Sequence, residues 1–421
     1  MKQLAGKRLL ILGATSGEMT LVTRAQSMGV YVIVTDSHED WDLAPAKKIA
    51  DEAWNISWSD IEALEIKCRS EHIDGVTAGY SEVRVENLIK LCKKLNLPCY
   101  INDNQLEVTR DKIKFKETCR RNGVPTVKDY KSIEEVDSFP VIVKPVDRAG
   151  SIGISIANNE IELRKAFEYA MEKSVSKNVI IEQYINDTKI DVYYAVENGK
   201  ITLISSCDTI PAKQNGLEKV CQSCWLYPMA ELDSYLSKVD QSARKMIEYM
   251  EIKYGCIFFS GFVDKNENFV FFECGFRLEG AHQYNYTERK GPFNFLDLFI
   301  IHALTGNSEL LDHTAENIQL KGAVINIYAK DGVIGCIDGI DQIRSHKDCC
   351  LVLVHGRIGE QCVTDKAILS KIVVMGFANE NAMVLSQDID YAYSKLSVLS
   401  ENGSDMIFDR IDTKQVANWW Y

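Results

Sequence analysis

Lys144 closes the apolar run Val141-Ile-Val-Lys-Pro145, a place where a cation is costly unless an anion meets it. Six residues on, Gly150-Ser-Ile-Gly153 supplies a turn whose backbone N–H groups can converge on a phosphate, and Arg148 brings a second cation to it. Upstream, Arg110-Asp-Lys112 begins a helix. Downstream, Val179-Ile-Ile-Glu-Gln-Tyr-Ile185 ends a buried strand in an acid and a polar-flanked hinge. Such a hinge can offer backbone groups to a purine edge while Glu182 accepts from an exocyclic amine. Phe271-Phe-Glu-Cys-Gly-Phe-Arg277 then sets Glu273 and Arg277 beyond an apolar strand. A carboxylate suits Mg²⁺, which takes hard oxygen ligands and bridges phosphates, and an arginine suits the anion formed in phosphoryl transfer. Singly, each piece has a plainer reading: a hairpin lysine, a solvated helix start, a strand exit, a structural salt bridge. Their order along the chain selects the chemical reading.

Other candidates are weaker. The turn Gly13-Ala-Thr-Ser-Gly17 lies between a strand and a helix and could hold a dinucleotide, with Asp36 on a ribose. Its spacing is not GxGxxG, and Glu18 would repel a pyrophosphate. Tyr169/Lys173 and Tyr249/Lys253 have the spacing of a hydride-transfer pair but fall on helices that need no catalytic explanation. An NAD-linked oxidoreductase is therefore the last-ranked reading. Cys221 and Cys224 form the CxxC of the chain without a second pair, so a packed turn outranks zinc or redox chemistry. His282 reads as a packed histidine before an amine base.

These residues must be held by a long chain. It has 421 residues, 46% of them apolar, which implies two to four packed lobes. Sixty acidic against 48 basic residues give a net charge of −12, which argues against nucleic acid or an anionic membrane as partner. No stretch approaches the roughly 18–20 apolar residues of a membrane span. The apolar run of the N-terminus ends at Gly13, as a first strand and not a signal peptide does, and thirteen cysteines read as reduced thiols in a cytoplasmic protein.

Arg8–Leu12 and Val30–Thr35 read as buried strands, with helices at Met19–Met28 and Ser81–Leu95: a parallel sheet covered on both faces. Residues 109–125 read as a connecting helix. Strands are expected at Val141–Lys144, Ile154–Ala157, Val179–Glu182, Asp191–Val196 and Lys200–Ser205. Asn159 and Glu162 stand at capping-box spacing. One long helix is expected over 231–252, a hairpin at Cys256–Val263 and Phe269–Cys274, a strand at Gly322–Ile327, and a helix near Asp388–Ser400.

The series Arg-Asp-Lys, Val-Lys-Pro, Gly/Ser loop, Ile-Glu-Gln-Tyr-Ile and Glu-x-Gly-x-Arg resembles the ATP-grasp superfamily over residues 8–306. The tail (Gly322–Ile327, Gly332–Ile337, Val373–Ala378) is similar to its biotin-carboxylase-like and amino-acid-ligase-like branches. The resemblance implies an α/β (α+β) fold in four parts: a Rossmann-like sheet lobe (1–108), a lid with its connecting helix (109–185), a mixed-sheet catalytic lobe (186–319) and an α+β lobe (320–421). It implies an ADP-forming carboxylate–amine or carboxylate–thiol ligase that uses ATP and Mg²⁺ through an acyl phosphate. Small-molecule substrates and a homodimer are its expected partners. Lys112 and Lys144 match the lysines on the phosphates. Gly150, Ser151 and Gly153 match the loop over the γ-phosphate, beside Arg148. Glu182 with the backbone of Tyr184 and Ile185 matches the adenine hinge, Glu273 a magnesium ligand and Arg277 the arginine at the transferring phosphate. Thr188 or Lys189 stands where the ribose acid is usual, so Asp187 or Asp191 substitutes. Gly275 replaces the metal-binding asparagine, and Ser260 or Gly261 the second metal acid. ATP, water, Glu279 or Asp264 would then complete the magnesium shell. Carboxyphosphate or carbamoyl-phosphate chemistry and a catalytically degenerate ATP-binding protein are the alternatives.

Overall fold

In the computed structural model, Arg8–Leu12 forms strand β1, with four of its five residues buried, as a parallel sheet covered on both faces requires. The structure describes residues 4–148, 152–212, 221–280, 282–291, 293–307, 319–364 and 369–421. Strands β2 (Tyr31–Thr35) and β4 (Gly75–Ala78) flank β1, with β3 (Glu52–Trp54) outside β2, all parallel. Helices Glu18–Ser27 and Glu82–Leu95 follow the apolar periodicity. A further cover comes from far along the chain: helix Phe295–Thr305, buried nearly all round, packs on β4. Gly75 permits this approach, since a Cβ there would lie 2.4 Å from the Ala303 carbonyl oxygen.

The second sheet is small and antiparallel: β5 (Asp129–Tyr130), β6 (Val141–Pro145), β7 (Ser155–Ala157) and β8 (Val179–Gln183), in the order β5-β8-β6-β7. Helix Glu160–Lys173 closes one face through Leu163, Ala166 and Ala170. Asn159 caps it by accepting from the Glu162 amide, while the Glu162 carboxylate takes the amide of Asn158, one residue earlier than a capping box.

The third sheet has eight antiparallel strands: β9 (Thr188–Glu197), β10 (Lys200–Pro211), β11 (Gln222–Tyr227), β12 (Tyr254–Val263), β13 (Phe269–Phe276), β14 (Lys321–Tyr328), β16 (Cys349–Val354) and β18 (Lys371–Asn379). Their order is β13-β12-β9-β10-β11-β14-β18-β16, so one sheet runs continuously across residue 320. Strands β15 (Gly332–Asp338), β17 (Gln361–Cys362) and β19 (Ser397–Ser400) form a three-stranded sheet beside it.

Three expected helices are divided or displaced. The 231–252 segment forms two helices, Leu232–Lys238 and Asp240–Tyr249, broken at Val239. At the break the Asp240 carboxylate is drawn to the sheet, accepting from Tyr194 at 2.7 Å and Arg244 at 2.6 Å. The 109–125 segment likewise parts at Asp111, which ends Asp103–Arg110 and caps Lys112–Asn122 through the amides of Ile113 and Lys114. The helix expected near Asp388–Ser400 is Ala382–Lys395, capped by Asn381, and Ser397–Ser400 leaves it to pair with β15. All thirteen cysteines are free thiols, and no helix among the described residues is long and apolar enough to cross a membrane.

Replacing Gly75 by Ala forces the Phe295–Thr305 helix off the parallel sheet. The expected cost is about 1–3 kcal/mol of stability, read as a lower urea midpoint at unchanged m-value.

Candidate active site

At the centre of the lid, the Glu182 carboxylate is 1% exposed and held by two ammonium groups. Lys116 meets Oε1 at 2.5 Å and Lys144 meets Oε2 at 2.6 Å. Lys116 also donates to the Val127 carbonyl at 2.7 Å. Burial alone would raise the Glu182 carboxyl pKa, but the two lysines outweigh it and hold it below its ordinary value. This corrects the expectation that the Glu182 side chain reads an exocyclic amine: it is committed to the lysines. Lys116, which sequence reasoning missed, stands one turn after Lys112 on the same helix, and that i, i+4 spacing after Arg-Asp-Lys was the available signal.

Lys112 donates to the Arg148 carbonyl at 3.1 Å. Its ammonium is held below its ordinary value by burial and then by the nearby charge of Lys144. The two expected phosphate lysines therefore share one field. Arg148 is brought near through its backbone, whereas its guanidinium is turned away and donates to the Lys173 carbonyl at 2.8 Å. Gly150 and Ser151 lie outside the described residues. Gly153 has φ +79°, and a Cβ there would lie 2.8 Å from Pro145 and 2.9 Å from Lys173, so glycine is needed for the loop to return against β6. In the hinge, the Tyr184 amide donates to the Pro140 carbonyl at 3.1 Å, and Ile185 follows at the exit of β8.

The facing wall is the edge of the eight-stranded sheet, where Asp191, Ser260 and Glu273 form one cross-strand row. Asp191 does not project as a ribose ligand. It is fully buried, accepting from Ser260 Oγ at 2.5 Å and Trp225 Nε1 at 3.3 Å. Gly275 pairs with Phe258, and a Cβ on Gly275 would lie 2.4 Å from that ring. The ring thus fills the space of the expected asparagine. The Arg277 guanidinium lies 5.4 Å from the Phe258 centroid, donates to the Leu278 carbonyl and stands 3.6 Å from Glu82.

Lys189 also belongs to this wall. Its ammonium is 5.9 Å from the Phe272 ring centroid, and that of Lys144 is 5.3 Å from the same centroid. Burial works against its charge, but the fields of Asp191, Glu273 and Glu279 more than offset this and raise its pKa. Glu279 accepts from Tyr193 at 2.7 Å, and burial, then Asp191, pushes its carboxyl up to about 7. His282 is buried and hydrogen-bonded to Tyr284 at 2.6 Å, and burial holds it well below its ordinary value, as a packed neutral histidine.

Among the described residues, no hydrogen bond or ion pair engages Glu273. Asp191 accepts from Ser260 and Trp225 and Glu279 from Tyr193, so Glu273 is the carboxylate of this group without a hydrogen bond among the described residues. That set fits a magnesium ion taking most of its shell from phosphate and water.

The N-terminal glycine turn is filled by its own chain. Glu18 is fully buried, accepts from the Thr15 amide at 2.9 Å and pairs with Arg84 at 2.7 Å. The Arg84 guanidinium occupies the space beside Gly13, and Asp36 is bonded to His38. Cys224 is a buried strand residue, and no cysteine belongs to a metal-ligating cluster among the described residues.

A family model described as D-ala D-ala ligase C-terminus matches residues 113–219. A formate-dependent phosphoribosylglycinamide formyltransferase of Sulfolobus acidocaldarius is 25% identical over 256 residues, covering 57% of this chain and 63% of that protein. A D-alanine–D-alanine ligase of Fusobacterium nucleatum is 39% identical over 93 residues, 22% of this chain and 30% of its own. The chain thus spans less than two thirds of these relatives. An L-amino acid ligase structure from Bacillus licheniformis superposes with a TM-score of 0.75 at 18% identity, over 94% of this chain and all (100%) of the other. A biotin carboxylase from Campylobacter jejuni gives 0.77 at 19% identity, over 97% and 94%.

Lys116→Met strands the buried Glu182 carboxylate on one cation. The expected loss is about 3–5 kcal/mol, measured by chemical denaturation, with Lys112→Met, nearer the cleft, costing far less. The chain thus shares its fold with these ligases and carboxylases, and its residues 113–219 match the D-ala D-ala ligase C-terminus family.

Proposed function

We propose that the protein is an ATP-dependent, ADP-forming ligase that joins a carboxylate to an amine or thiol through an acyl phosphate. The observation that supports this reading best is the facing of two lysines, Lys112 and Lys144, to a wall that carries one carboxylate, Glu273, and one guanidinium, Arg277. ATP is the nucleotide, its purine edge set on the hinge at Tyr184–Ile185 through backbone groups and its triphosphate along the lysines. Magnesium, held by Glu273, would supply charge neutralisation between the phosphates.

Lys112 and Lys144 spread the charge of the transferring phosphoryl group while a substrate carboxylate attacks it in line. Lys189, on the opposite wall, adds positive charge to a site with a single free carboxylate donor. Arg277 steadies the acyl phosphate, and the incoming amine then displaces phosphate through a tetrahedral intermediate. Glu279, poised near neutral pH, accepts the proton that the amine must lose. Cover from the lid keeps water from the acyl phosphate.

A panel of carboxylates and amines tested for ADP release, with hydroxylamine to trap the acyl phosphate as a hydroxamate, examines this directly. Lys144→Ala should abolish ADP formation and weaken ATP binding, whereas Tyr169→Phe, on the outer face of the lid helix, should do neither. Unchanged nucleotide affinity in the lysine variant would overturn the reading.

The pH profile tests Glu279. Its carboxyl is protonated below about 7 and is the competent base above it, so kcat/KM for the amine should rise through that pH. Glu279→Gln should flatten the rise while leaving ATP affinity intact.

A further inference from the structure

Far from the cleft, the chain brings together a second set of metal-ligating groups. His346 and Asp348 lie in the turn between helix Ile340–Arg344 and β16, and Asp388 lies on helix Ala382–Lys395. One ligand atom of each falls within 4.8 Å of the others. His346 Nε2 stands 3.6 Å from Asp388 Oδ1, too long for a hydrogen bond to account for the arrangement. The turn is braced around them: Asn379 donates to Asp348 Oδ2 at 3.0 Å, and the Ala378 amide donates to the Asp348 carbonyl. The imidazole is fixed against Tyr391 at 4.8 Å and Phe377 at 6.1 Å between centroids.

The second observation is Asp388 itself. Its side chain is 6% exposed, and its Oδ2 is a buried acceptor with no donor among the described residues. Two carboxylates face one another here, with Lys347 as the nearest cation, 3.6 Å from Asp348 and largely in solvent. A buried acceptor without a donor is costly, and a second carboxylate beside it adds repulsion.

We propose that His346, Asp348 and Asp388 bind a first-row divalent cation that pins the turn before β16 to the helix Ala382–Lys395. One imidazole and two carboxylates form a hard-to-borderline donor set, suited to Mn²⁺ or Zn²⁺, with water completing the shell. The cation takes up the free Oδ2 and offsets the repulsion between the two carboxylates. The Asp348 amide contact to His346 Nδ1 is long, at 3.4 Å, and leaves Nε2 as the nitrogen facing Asp388. The site is structural: it joins two segments of the C-terminal lobe and does not depend on the ligase reading.

Manganese is the probe of choice because thirteen thiols would compete for zinc. Full-length, chelator-treated protein is titrated with MnCl₂ alone and followed by loss of the free-ion EPR signal, with melting temperature as a second readout. Wild type should bind one equivalent and gain thermal stability. Glu273→Gln should keep that equivalent. Asp388→Asn and His346→Ala should weaken it roughly tenfold or more and lose the thermal gain, with unchanged circular dichroism without metal. Retention of the equivalent in both variants would overturn the proposal. So would a wild type that binds no manganese, or an equivalent that disappears in Glu273→Gln, since the two carboxylates then share a proton and nothing more.

Discussion

A carboxylate enclosed by two ammonium groups inside an apolar lid governs the geometry of the cleft. Glu182 could not be buried without both cations, and each cation belongs to a different element: Lys116 to the helix before the lid, Lys144 to β6. The ion pairs therefore join helix to sheet. Because Lys112 stands one turn before Lys116 on one helix face, anchoring the second aims the first toward the cleft. Lys144 has its charge balanced from behind and keeps an aromatic face, Phe272, in front.

The opposite wall departs from the expected metal-binding pattern in two linked ways. Serine stands at 260, one of the two positions (260 or 261) where an acid was expected, and it donates to Asp191, its neighbour in register on β9, from within the sheet. Glycine stands at 275, where an asparagine was expected, with the Phe258 ring directly over it and Arg277 against that ring. Each replacement is half of a packed cross-strand pair, so neither is a simple deletion. The wall keeps one open carboxylate, Glu273, and gains a cation, Lys189, held among acids.

Residue order along the chain was enough to place the strands of the small antiparallel sheet and the hairpin, and to single out Lys112, Lys144, Glu273 and Arg277 as candidates. Apolar runs and turn residues are local signals, and these side chains stand at the ends of strongly patterned elements. The strand periods were legible for the same reason, as in Arg8–Leu12 and Tyr254–Val263. Element ends were less so. The break at Val239 depends on Asp240 reaching Tyr194, 46 residues away, and the strand at Ser397–Ser400 exists because β15 is there to pair with it.

The sequence by itself determined which chemical groups the proposed site offers and in what order: two lysines from 109–185, then one acid and one arginine from a hairpin. Tertiary structure alone decided what each group is free to do. Glu182 and Asp191 look equally available in the sequence, yet one is spent on two lysines and the other on a serine from the adjacent strand β12 and a tryptophan from β11, two strands away. Charge and hydrogen-bonding capacity are properties of a residue, but their availability depends on partners brought from elsewhere in the chain, and no local pattern records those partners.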